Sequence, residues 1–148
     1  MRDVGGQDNQ GAAYVFARNQ GGTGVWAQVQ ELAVADGVVW DHFGHSVAIA
    51  GDTVTVGAPD HPVGGTDDQG AAYVFVRDRG GVDSWGQAQE LAAADGAEGD
   101  EFGSAIALSG HTILIGAPNS HIGGNDDQGS AYLFFVVVAE VYLPLIVR

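Results

Sequence analysis

Residues 43–75 read FGHSVAIAGDTVTVGAPDHPVGGTDDQGAAYVF, and this stretch decides the fold. Phe43-Gly44 opens it. Two short apolar runs follow, Ser46 to Ile49 and Thr53 to Val56, joined at Ala50-Gly51-Asp52-Thr53. Gly at the first central position of such a connection predicts a type II′ β-hairpin. Gly57-Ala58-Pro59 closes the second run. A polar, glycine-rich loop from Asp60 to Gln69 then leads into a third run, Gly70 to Val76, which is apolar at successive positions. A strand that does not alternate is expected to be buried on both faces.

Outward from this stretch, the sequence repeats. Residues 102–134 read FGSAIALSGHTILIGAPNSHIGGNDDQGSAYLF, and QGAAYVF stands at both 10–16 and 69–75. Gln10, Gln69 and Gln128 are spaced 59 residues apart. With the same offset Trp26 maps to Trp85, Glu31-Leu32 to Glu90-Leu91, and Asp36-Gly37 to Asp95-Gly96. Phe43-Gly44 maps to Phe102-Gly103 and Gly57-Ala58-Pro59 to Gly116-Ala117-Pro118, with no insertion or deletion. A fixed period of this kind marks tandem duplication of one structural unit. A fourth run in the unit, Trp85 to Ala92, alternates polar and apolar residues, as suits an outermost strand with one wet face. No run carries a sustained helical period. Four-stranded antiparallel sheets, buried on both faces and repeated in tandem, predict an all-β fold of propeller blades.

The Phe-Gly pairs at 43–44 and 102–103, the Gly-Ala-Pro triplets at 57–59 and 116–118, and the aromatic strand after each resemble the FG-GAP repeat family. That family builds the β-propeller of integrin α-subunits and of many bacterial surface proteins. The resemblance reaches to about Phe135 and makes Phe43, Gly44, Gly57, Ala58, Pro59, Phe102, Gly103, Gly116, Ala117 and Pro118 the structural repeat motif. It implies four-stranded antiparallel blades. It also implies binding or adhesion rather than catalysis, with a protein or glycan as ligand and a place outside the cell or at its surface. On this basis residues 1–42 are expected to form the outer half of a first blade plus a connection. Residues 43–101 are a complete blade plus connection, and residues 102–148 a second blade with a divergent closing strand in the tail 136–148. About two and a half blades leave open faces, because repeat units need neighbours to bury them. Self-association of several chains would complete a propeller. The alternative is a structural fragment of a longer propeller without independent activity.

Several integrin repeats hold calcium in the hairpin between their first two strands, with a DxDxDG-type loop. Here those hairpins are Ala50-Gly51-Asp52-Thr53 and Ser109-Gly110-His111-Thr112, one with a single Asp and the other with none. Calcium takes about six to eight oxygen ligands, so the integrin-type calcium loop is absent and no cofactor is required by the resemblance.

Composition narrows the function classes. The chain has 148 residues, 24 of them Gly, and is 45% hydrophobic, which suits many turns between buried strands and not a disordered chain. A net charge of −14 leaves no basic stripe for nucleic acid and disfavours anionic membranes. Without Cys there is no disulfide or thiol chemistry. The N-terminal MRDVGGQDNQG lacks the apolar core of a signal peptide. The C-terminal FFVVVAEVYLPLIV is broken by Glu140 and Pro144 and is no transmembrane segment, which wants about 20 apolar residues. Pro144 is expected at an edge or bulge.

The acidic loops supply the first ligand or cation candidates: Asp67 and Asp68, and their counterparts Asp126 and Asp127. Paired carboxylates beside Gly could hold Ca2+; equally, Asp at such positions fixes turns through backbone N–H groups. Asp36 with Asp41, and Asp95 with Asp100 and Glu101, form a second acidic pair per unit and divide between the same two readings. None of the five His recurs: His42 aligns with Glu101, His45 with Ser104, His61 with Ser120, His111 with Asp52 and His121 with Pro62. They are read as lone surface residues outside the common plan of the fold. Ser46 becomes Ala105 and no GxSxG elbow is present, so no catalytic residue is assigned. An enzyme using the acidic loops and His residues is the distant alternative. Trp26 and Trp85 recur at strand starts and are read as packing residues, whereas Trp40, which aligns with Gly99, is the better exposed contact.

Overall fold

The computed structural model describes Gly6, residues 8–137, 140–141 and 145–147, and every regular element among them is a β-strand. Residues 1–5 and Pro144, on which the expectations of no signal peptide and of an edge proline fall, lie outside the described residues. β1 (Ala13–Arg18) and β2 (Trp26–Leu32) form a two-stranded antiparallel sheet. β3 (Ser46–Ala50), β4 (Thr53–Ala58), β5 (Ala71–Arg77) and β6 (Trp85–Leu91) form a four-stranded sheet in chain order. β7 (Ala105–Ser109), β8 (Thr112–Ala117) and β9 (Ser130–Val137) repeat that order. On the far side of β9, β10 (Glu140–Val141) pairs with its end and β11 (Leu145–Val147) with residues 131–133. The tail therefore supplies the strand position that β6 fills in the preceding sheet.

The local chemistry explains these elements. Gly51 and Gly110 turn the β3–β4 and β7–β8 hairpins at φ +55° and +56°, and the next residue returns to an ordinary φ, as a type II′ turn requires. The register shifts at the same place in two sheets, between Val15 and Phe16 and between Val74 and Phe75. Even the irregularity is part of the repeated unit.

The sheets stack face to face through two apolar clusters. Ala71, Tyr73 and Phe75 join Phe43, Val54 and Val56 in the cluster shared with Leu32 of β2 and Val34 of the connection after it. Ala72 and Val74, on the opposite face of β5, join Phe102, Ile113, Ile115, Tyr132 and Phe134. This is the physical reason β5 is apolar at successive positions. The Phe of each Phe-Gly pair packs on its own third strand: Phe43 meets Tyr73 and Phe75 edge-on, and Phe102 meets Tyr132 and Phe134 likewise.

One expectation needs correction. Burial on both faces holds for β5, but β1, with nearly the same sequence, alternates between half-buried and exposed positions, and β9 alternates mostly between buried and half-buried positions, with Phe135 exposed. Only β5 has a described sheet against each face. For the same reason Trp85 is buried while Trp26 is exposed, so the packing role expected of both belongs to Trp85 alone. Trp40 is exposed, as its failure to recur suggested.

Among the described residues no helix is long and apolar enough to cross a membrane.

Candidate functional site

The acidic loops form joints between sheets. The carbonyls of Asp67, Asp68 and Gln69 accept hydrogen bonds from the N–H groups of Gly99, Glu101 and Phe102, at 3.2, 3.1 and 2.9 Å. One sheet earlier, Asp8 and Gln10 accept from Trp40 and Phe43. The buried Gln69 side chain adds a bond from Nε2 to the Ala93 carbonyl at 3.0 Å. Asp68 and Asp127 sit at φ +50° and +51°, and Asn9 at the matching position has φ +55°. Asp and Asn are the non-Gly residues that best tolerate this left-handed backbone, which gives a structural reason for their recurrence. The carboxylates of Asp67, Asp68, Asp126 and Asp127 belong to exposed residues, and Asp126 lies 3.5 Å from His121.

The second acidic pair divides. Asp41 and Asp100 are buried, and each carboxylate caps a turn three residues back: Asp41 Oδ2 accepts from Val38 N at 2.6 Å and Asp100 Oδ2 from Ala97 N at 2.9 Å. Their Oδ1 atoms are buried with no hydrogen-bond partner. Asp95 accepts from Tyr132 Oη at 3.0 Å. Asp36, its counterpart, instead joins a cluster that the sequence did not announce.

That cluster gathers side chains from four places. Asp36 and Asp41 come from the connection after β2, His61 from the loop after β4, Tyr73 from β5 and Glu90 from β6. Tyr73 and Glu90 are register partners, so they project from the same face of the sheet. His61 is buried, which corrects its reading as a surface residue. Its Nδ1 lies 3.0 Å from Asp41 Oδ2, at ion-pair distance though off the line of a good hydrogen bond, and its Nε2 lies 4.0 Å from Glu90 Oε1. Tyr73 packs edge-on against the imidazole and its hydroxyl has no partner. Ligand-type atoms of Asp36, His61 and Glu90 all lie within 4.8 Å of one another.

The electrostatics follow from crowding three carboxylates around one ring. Burial opposes charge on His61, but Asp41, Glu90 and Asp36 outweigh it and raise its pKa above the ordinary value. Burial, then the Asp36 charge and a hydrogen bond to Asp36, raise Glu90, with His61 opposing. Burial, with Glu90, Asp36 and Asp41 adding, pushes the Tyr73 hydroxyl well up.

The other histidines do not converge on this cluster. His42 pairs with Asp60, and His45 and His111 are exposed. His61, Tyr73 and Glu90 were missed as site residues because they are far apart in sequence and no local spacing links them. The one available signal was that His61 replaces Ser120 at a buried position of the repeat.

A second feature is an apolar groove of about 580 Å³ between β1 and β3, lined by Tyr14, Phe16, Leu32, Val47, Ile49 and Val54. Phe16, Val47 and Ile49 are exposed there, and among the described residues β1 pairs with no strand except β2.

The family model for the FG-GAP repeat matches the chain twice, over residues 26–75 and 85–134. No curated protein matches it.

Proposed function

Because the chain belongs to the FG-GAP repeat family, we propose that it is a non-catalytic propeller segment for binding or adhesion at the cell surface, engaging its ligand along the open edge of β1. The observation that carries this reading is the groove beside that edge. Among the described residues β1 pairs with β2 on one edge only, which favours an added strand on the other, and the exposed Phe16, Val47 and Ile49 favour apolar side chains on it. Those features suit a protein ligand better than a glycan, which would call for convergent polar groups. The most economical occupant is a hairpin like β3–β4, from another copy of the chain or from further blades. The latter is the second reading, a structural fragment of a longer propeller, which the same open edge favours.

Light scattering coupled to size exclusion tests this. A discrete oligomer, or capture of a synthetic hairpin with the sequence of residues 43–58, is expected for the wild-type chain. Phe16→Asp should abolish either one while leaving the melting temperature of the monomer nearly unchanged, since Phe16 is exposed. A monomer that ignores the hairpin, or an oligomer indifferent to Phe16→Asp, would remove the edge from the proposal.

Calcium is not needed for this reading. The carbonyls of Asp67 and Asp68 already accept hydrogen bonds in the joint, so a calcium ion there would draw mainly on exposed carboxylates and water. Added millimolar calcium is expected to leave Tm unchanged; a rise removed by Asp67→Asn with Asp68→Asn would place an ion in that loop after all.

A further inference from the structure

We propose that Asp36, His61 and Glu90 bind a divalent transition-metal ion of the zinc class at the junction between the β1–β2 sheet and the β3–β6 sheet. Zinc holds N and O ligands at about 2.0–2.2 Å, which sets tetrahedral ligand atoms roughly 3.4 Å apart. The three candidate atoms already lie within 4.8 Å of one another, so modest side-chain closure would complete the geometry.

Independent observations point to a ligand here. The Tyr73 hydroxyl is wholly buried and unpartnered, with its ring against His61 and its strand position opposite Glu90. Its counterpart Tyr132 donates to Asp95, whereas Tyr73, in the copy where His61 stands in place of Ser120, makes no such bond. A carboxylate oxygen of Asp36 instead lies within 4.8 Å of one of Glu90, and two carboxylates brought that close are stabilised by a cation between them. Asp41 faces His61 Nδ1, leaving Nε2 on the side of Glu90. A carboxylate behind a ligating imidazole, once a small ring rotation closes the bond to Nδ1–H, fixes its tautomer and strengthens it as a ligand.

The donor set selects the metal. One imidazole with carboxylates suits zinc and its neighbours, while calcium gains nothing from the nitrogen. Asp36 is exposed, so the ion has a path from solvent and room for a water ligand. Bound there, it would tie the connection after β2 to the four-stranded sheet.

Equilibrium dialysis of the full chain with metal analysis tests the site, with cobalt absorption reporting nitrogen and oxygen ligation. About one zinc per chain is expected, with a rise in Tm that a chelator reverses. His61→Ser, which installs the residue found at Ser120, should weaken binding by about 100-fold or more and abolish the Tm rise. Asp36→Asn, at an exposed position that carries no core packing, should do the same, and Asp41→Asn should cost about 10–100-fold. His111→Ser, on an exposed hairpin, should change nothing. The proposal is overturned if the wild type binds no zinc, if Asp36→Asn binds it as the wild type does, or if calcium competes on equal terms.

Discussion

Phe102→Ala is expected to lower the unfolding free energy by about 3–5 kcal/mol, the usual cost of removing a buried phenylalanine. Phe102 is wholly buried in the cluster between the second and third sheets, where it meets Tyr132 and Phe134 edge-on. The loss has two parts: apolar area returned to water, and a cavity that the flanking strands cannot collapse to fill. Both strands beside it are hydrogen-bonded on their ladders, so the backbone has little freedom to close the gap. Urea unfolding of the variant measures the effect. Phe16→Ala is the matched comparison, an aromatic on the exposed groove, expected to fall within about 0.5 kcal/mol. Equal costs for the two would contradict the face-to-face stacking of the sheets.

Gly70→Ala should be comparably damaging for a different reason. Gly70 has φ +85°, and a β-carbon there would lie 2.2 Å from the carbonyl oxygen of Phe102 and 2.7 Å from that of Pro59. Those are backbone atoms on both sides, so neither can swing aside. The joint between sheets would have to open, breaking the bond from Phe102 N to Gln69 O. A loss of about 3 kcal/mol or more is expected, above the ~1–2 kcal/mol for a left-handed alanine alone. Gly129 supplies the control within the molecule. It has φ +83°, yet its added β-carbon would meet nothing closer than Pro118 O at 3.0 Å. Gly129→Ala should therefore cost the conformational penalty plus a small shift of that carbonyl. The difference between the two variants, read from urea midpoints at equal slope, isolates the contribution of sheet-to-sheet contact at the Gln-Gly and Phe-Gly joint.

Much of the architecture was legible because it depends on short-range chemistry. The Gly51 and Gly110 turns, the extent of each strand and the repetition at Gln10, Gln69 and Gln128 follow from turn residues and periodicity. Phe-Gly and Gly-Ala-Pro were legible as structural pieces, and Gly44, Gly57 and Gly103 prove to be where one backbone passes another: a β-carbon on Gly103 would lie 2.4 Å from Ala71 O, and one on Gly57 2.1 Å from Gly103 O. The polar cluster was not legible. Asp36 and Asp41 look alike beside one another in sequence, yet one is exposed beside Glu90 and the other buried beneath a turn. Their partner His61 comes from another loop, and nothing in local spacing encodes a meeting across two sheets.

The clearest division lies in one repeated heptapeptide. QGAAYVF occurs at 10–16 and at 69–75, and in both places it makes the same third strand with the same register shift. Strand formation and turn geometry belong to the sequence, because backbone and adjacent side chains suffice to determine them. Burial does not. Tyr14 is 36% exposed and Tyr73 0%, while Phe16 is 54% exposed and Phe75 3%. Apolar burial is a property of the surface on the other side, and β5 has a described sheet on each face where β1 does not. Identical residues thus form core in one copy and line an open groove in the other, a distinction that only the stacking of whole sheets decides.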